Sequence, residues 1–247
     1  MSTLRAKTLA RLREQIRTLE KPGLSDRSAL EFGEPAIDDE LPGGGLVSGC
    51  LHELAASPQD AAAYGLLAVL LGRLIGGAGV APGMGMALWC GLAPSGRPAL
   101  PYGPGLARFG LATERLILVR APRPAELLWA MEEGLRSGRF AAVLGEGLAP
   151  DLTATRRLQL AAEAGGSTAL LAFPATESRS RRLSAATTRW RIAALPAVLP
   201  DRPRWSVSLD RCRGGGRHAW ILEWSHEALR LRVSAALADR PLAAAAV

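Results

Sequence analysis

Five short, mainly apolar runs of strand length, with helical segments filling the gaps between them, constrain this chain more than any other feature. They fall at about 50–55, 85–93 (around Met86-Ala87-Leu88-Trp89-Cys90), 115–120 (Arg115-Leu116-Ile117-Leu118-Val119-Arg120), 140–145 and 168–173 (Thr168-Ala169-Leu170-Leu171-Ala172-Phe173). A strand that is apolar on both faces must be covered on both faces, and this is the situation of a parallel sheet with crossover helices above and below it. Helical patterns at about 58–76, 104–110, 123–137 and 152–164 occupy the gaps. The expected fold class is therefore α/β, with a mainly parallel central sheet flanked by helices. With 247 residues and 48% hydrophobic content, the chain can bury one such core without staples.

The first of these strands leads into the segment most open to a chemical reading. Cys50-Leu51-His52-Glu53-Leu54 followed by Ala55-Ala56-Ser57-Pro58-Gln59-Asp60-Ala61-Ala62-Ala63 reads as strand, tight turn and helix, the outline of a phosphate-binding loop. A working loop of that kind wraps phosphates with backbone N–H groups, neutralises them with a lysine and holds magnesium with a Ser or Thr hydroxyl. Here those slots are alanines, Ala61, Ala62 and Ala63. The chain has 28 arginines but only two lysines, Lys7 and Lys21, so no lysine follows to substitute. Ser57 suits an N-cap, Pro58 the first helical turn, and Asp60 stands three residues after the cap, where its carboxylate would repel a phosphate. An ordinary capping box in a fold that never bound nucleotide fits the same residues.

The surrounding residues weigh on that choice. Upstream, Leu41-Pro42-Gly43-Gly44-Gly45-Leu46 forms a glycine-rich bend before Gly49-Cys50-Leu51-His52-Glu53-Leu54, and Ser137-Gly138-Arg139-Phe140-Ala141-Ala142-Val143-Leu144-Gly145-Glu146 precedes the fourth helix. Together these resemble the RecA-type ATPase core over roughly residues 30–225, with Glu146 or Gly145 at the slot of the Walker B metal-directed aspartate and Ala56 to Ala63 as a degenerate phosphate-loop region. A RecA-like chain with a basic N-terminal helix, no phosphate-loop lysine and an arginine-rich C-terminal third is similar to the ImuA family. That resemblance implies a non-catalytic accessory of SOS-induced translesion synthesis, acting with an ImuB-type Y-family-like protein, RecA and an error-prone replicative-type DNA polymerase. A cytoplasmic protein, associated with the nucleoid during DNA damage, is expected. A SulA-like division inhibitor binding the tubulin-like division protein is the alternative from another class, and a degenerate RecA-like ATPase is the third reading.

The charge is concentrated in two places. From Arg179 to Arg217 ten arginines face two acids, a net of +8, and residues 1–22 carry six cations against two acids, a net of +4. The whole chain is +7, which leaves the remainder at −5. Residues 3–20 form a basic amphipathic helix, with Leu4, Leu9, Leu12, Ile16 and Leu19 on one side and Arg5, Arg11, Arg13 and Arg17 among the rest. It either packs on its own domain or docks on another subunit or partner through Leu9, Leu12, Arg13, Ile16 and Leu19. After the fifth strand, Arg179, Arg181 and Arg182 alternate with small polar residues. They either track a single-stranded DNA backbone or form a solvated basic loop. Arg189 and Arg191 flank Trp190 and extend the candidate nucleic-acid or partner surface, while Trp190 and Trp205 divide between base stacking and core packing. Strand-like runs continue at 187–194, 204–211, 218–224 and 228–233, the last alternating apolar residues with arginine as a protected edge or a docking strip would. The organisation is an N-terminal helix and linker at 1–30, a core at 31–234 and a flexible tail at 235–247.

Other chemistries find little support. Cys50, Cys90 and Cys212 are odd in number and far apart, and two lie in apolar runs, so they read as reduced core thiols. Cys50 and His52 share a strand face with no paired-ligand spacing for a metal. The three histidines, His52, His218 and His226, accompany no nucleophile-elbow sequence, and no apolar run has the length of a membrane span. Neither an enzyme, a cofactor nor a metal is expected.

Overall fold

The computed structural model describes residues 27–56, 62–76, 85–93, 101–175, 183–199 and 201–237. A lead-in comes first: Ala29–Leu30 (β1) pairs antiparallel with Leu46–Val47 (β2) around the short helix Pro35–Asp38 (α1). The glycine-rich bend serves this crossing. A Cβ on Gly45 would sit 2.2 Å from the Leu30 carbonyl oxygen, so only glycine lets the two strands approach. Asp38 ties down the turn that enters α1, accepting from the Phe32 amide at 2.7 Å and the Glu34 amide at 3.0 Å.

The core alternates strand and helix: Leu51–Ala56 (β3), Ala62–Gly76 (α2), Ala87–Leu92 (β4), Gly103–Ala107 (α3), Leu116–Ala121 (β5), Pro124–Arg136 (α4), Ala142–Glu146 (β6), Leu152–Gly165 (α5) and Thr168–Pro174 (β7). Four further strands follow, Thr188–Leu195 (β8), Arg204–Cys212 (β9), His218–Ser225 (β10) and Arg230–Leu237 (β11). Among the described residues they make one nine-stranded sheet in the order β11-β10-β9-β8-β3-β7-β6-β4-β5. From β5 to β8 neighbouring strands run parallel, and β8 to β11 form an antiparallel extension. The α/β class and the mainly parallel sheet are as the apolar runs require, and the architecture is compatible with a RecA-like fold. The last strand continues through Leu237, so ordered sheet reaches past residue 234, where the sequence places the tail.

Each face of the sheet has its own core. One is built on α2, whose Leu66, Leu67, Leu70 and Leu71 are buried against Leu54, Trp89, Leu144, Trp190, Trp205 and Trp220. Glycine at position 65 makes room for this packing, since a Cβ there would lie 2.7 Å from the Trp205 ring. On the other face, α4 buries Leu127, Met131 and Leu135 at helical spacing, beside Leu158 and Ala162 of α5. Helix α5 is capped by Asp151, which accepts from the Ala154 amide at 2.8 Å, and ends on Gly166 at φ 71°.

Candidate functional site

In this sheet the connection from β4 to β5 runs outward, while the chain from β5 to β6 returns past β4. That reversal is a topological switch point, and ligands of open α/β sheets bind at the carboxyl ends of strands beside such a point. Ala56 ends β3, which β7 separates from β6, and is buried; Ser57, Asp60 and Ala61 lie outside the described residues. Ala62 is buried at the start of α2, and Ala63 follows it in the same helix.

Glu146 ends β6 at this edge and is already engaged. Arg120 of β5 and Glu146 of β6 are both in register with Gly91 of β4, so the three residues form one row across three strands. Arg120 Nη1 donates to Glu146 Oε1 at 2.5 Å, with side-chain exposures of 10% and 16%. The pair passes over Gly91, where a Cβ would fall 1.7 Å from Arg120 Nη1 and 2.5 Å from Glu146 Oε1. On α2 nearby, burial, followed by the negative charge of Glu146, raises the Tyr64 pKa. A carboxylate oxygen that accepts from a guanidinium has committed lone pairs that a metal or its waters would need. Arg120 Nε and Nη2 are buried without hydrogen-bond partners. The sequence reading did not find Arg120, Gly91 or Tyr64. The available signals were a charge closing an interior apolar strand and a glycine within another.

A second ion pair crosses the sheet on its other face. Arg189 Nε donates to Glu53 Oε2 at 2.7 Å, and the Ser184 hydroxyl donates to Glu53 Oε1 at 2.5 Å. Arg189 is thus buried against β3 in this structure and is not presented to a nucleic acid. Arg191 is partly exposed and pairs with Asp210 at 2.7 Å. Trp190 and Trp205 are both in the core, which removes either from base stacking in this structure. Arg179, Arg181 and Arg182 lie outside the described residues, as do Leu9, Leu12, Arg13, Ile16 and Leu19. The described end of the basic segment is well anchored: besides its bond to Glu53, Ser184 accepts through its carbonyl from Arg211 Nη1 at 2.8 Å.

His52 is fully buried, and its tautomer follows from its partners. Nε2 faces the Val47 carbonyl at 2.9 Å and must donate, so Nδ1 accepts from the Thr188 hydroxyl at 2.7 Å, which in turn accepts from Trp190 Nε1. Burial lowers the His52 pKa to about 4, which keeps the ring neutral. Cys50 and Cys90 are buried free thiols, and burial pushes the Cys90 thiol up to about 12. No cluster of potential metal ligands occurs among the described residues.

No family model matches the chain. It is 38% identical over 232 residues to Protein ImuA of Caulobacter vibrioides, in strain NA1000 / CB15N and equally in strain ATCC 19089 / CIP 103742 / CB 15. Each match covers 87% of this chain and 93% of the relative. A shorter match, 41% identical over 71 residues, joins 28% of the chain to 41% of the cell division inhibitor SulA of Edwardsiella piscicida. That fragment is too small to carry an assignment. The ImuA match runs nearly end to end in both proteins, and on that ground the chain belongs to the ImuA family.

Proposed function

We propose that the protein is a non-catalytic adaptor of SOS-induced translesion synthesis, linking an ImuB-type Y-family-like protein, RecA and an error-prone replicative-type polymerase. The reading draws its biological setting from the ImuA relatives and its non-catalytic character from one structural observation: Glu146, at the Walker B-like position, is held by Arg120. A RecA-like nucleotide site needs a lysine, a magnesium hydroxyl and a carboxylate free to act on metal or water. The sequence replaces the first two with alanine, and the arginine occupies the third.

The N-terminal helix and the segment around Arg179, Arg181 and Arg182 are the proposed contacts with protein partners and with single-stranded DNA. Co-purification from cells under DNA damage tests the adaptor reading. Capture of the Y-family-like protein or RecA supports it, and loss of that capture on deleting residues 1–22 with unchanged melting temperature assigns the contact to the helix. Capture of the tubulin-like division protein instead would favour division inhibition, the reading to which the partial SulA match points.

A further inference from the structure

Strands β8 to β11 send every tryptophan of the extension, Trp190, Trp205, Trp220 and Trp224, into the core on one side of the sheet. Alternate positions must face the other way. On that outer face Arg204 of β9 and Arg232 of β11 both stand directly opposite Glu223 of β10. One carboxylate between two guanidinium groups could neutralise one of them, but Glu223 instead pairs with Arg202, at 3.3 Å. Arg204 has only a 3.4 Å bond from Nη1 to the Pro196 carbonyl, and its Nε is buried without a partner. Arg232 is exposed and makes no ion pair among the described residues; the same holds for Arg230, two residues before it on the same face. Among the described residues, three arginines at one end of the face therefore lack a counter-charge.

We propose that this outer face docks an acidic segment of a partner protein whose carboxylates pair with Arg204, Arg230 and Arg232. Planar guanidinium groups meet carboxylates in bidentate fashion, and such charge-assisted bonds are stronger than neutral ones. A nucleic acid fits less well. Its single strands gain affinity by stacking on aromatics, and here all four tryptophans are turned inward. Glu223, at the centre of the arginine row, would repel an unbroken line of phosphates, whereas a peptide can offer it a backbone N–H or a cation. The chain's own undescribed stretches do not supply the complement. Residues 1–26, 94–100 and 176–182 are net positive, 238–247 hold one Asp and one Arg, and 57–61 hold the single acid Asp60.

The proposal names a surface and a chemistry for the adaptor reading but can be tested apart from it. The full chain is titrated, by fluorescence anisotropy, into three labelled twelve-residue probes: a peptide alternating Glu with Thr, the same peptide with Gln for Glu, and oligo(dT). The expected result is that Arg204→Ala/Arg232→Ala weakens the Glu peptide at least tenfold. Arg213→Ala/Arg217→Ala, which removes equal charge at exposed positions near the β9–β10 turn, should weaken it less than twofold. Equal weakening by both variants, or tight binding of the Gln peptide, would overturn the proposal. So would a larger loss for oligo(dT) than for the Glu peptide, which would assign the face to a phosphate backbone. Circular dichroism checks the fold, and Arg230→Ala/Arg232→Ala, at two exposed positions, replaces the first variant if that one fails to fold. Failure to capture a protein partner from cells with intact peptide binding would instead count against the adaptor reading alone.

Discussion

Arg120 reaches Glu146 across β4, a strand that contributes only the Cβ-free gap at Gly91 to their 2.5 Å contact. Burying two charges costs several kcal/mol per ion, and two Arg120 nitrogens remain without partners, so the pair is not an efficient source of stability. Removing one partner is different, because it strands the other charge. Arg120→Met or Glu146→Leu alone should each lower the unfolding free energy by about 3 kcal/mol, whereas the double variant should recover most of that loss. Urea denaturation of the four proteins measures the coupling. Additive losses would show that the two charges do not depend on each other.

The same pair bears on nucleotide. Restoring a lysine by Ala62→Lys supplies one missing element and leaves Glu146 engaged by Arg120. Isothermal titration with Mg-ATP should therefore show no micromolar binding by the natural chain or by this variant. Micromolar binding by the natural chain would reverse the non-catalytic reading.

Much of the fold was legible because a parallel strand covered on both faces must be apolar almost throughout, as Leu51, Leu54, Leu170 and Leu171 illustrate. The chemistry of Glu146 was not, because it depends on strand order. Arg120 and Glu146 face the same glycine only because β4 lies between β5 and β6, and sequence spacing carries no trace of that arrangement. Arg189 misled for a related reason. An arginine beside a tryptophan reads as surface, but β8 is an interior strand and its neutralising carboxylate, Glu53, lies 136 residues away. Register, not composition, decides whether such a charge is solvated or paired.

His52 makes folding sensitive to mild acid. Its ring titrates near 6.5 when unfolded and near 4 in the fold, so between those values the unfolded chain holds the extra proton. Stability from this group is complete above pH 6.5 and is lost as pH falls toward 4, by on the order of 3 kcal/mol at most. Urea denaturation of the natural chain and of His52→Gln, at pH 7 and pH 5, isolates the effect from that of the carboxylates. The natural chain should lose more stability than the variant over that interval. Equal losses would mean that His52 reaches its proton without unfolding.

Arginines 179, 181 and 182 bear on whether the basic segment meets DNA directly. Each phosphate neutralised on a single strand releases counterions and contributes roughly −0.7 to the slope of log affinity against log salt. Changing all three arginines to alanine should therefore reduce that slope by about two units. The described anchor at Ser184 lies outside the substitution and keeps its bonds to Glu53 and Arg211, so stability should change by no more than about 0.5 kcal/mol. Anisotropy with oligo(dT) across a salt series reads the slope, and thermal melting reads the stability. An unchanged slope would make the segment a solvated basic loop. Loss of a protein partner with the slope intact would assign the same guanidinium groups to carboxylates, so the salt dependence, rather than affinity at a single salt concentration, is the measurement that separates the two recognition modes.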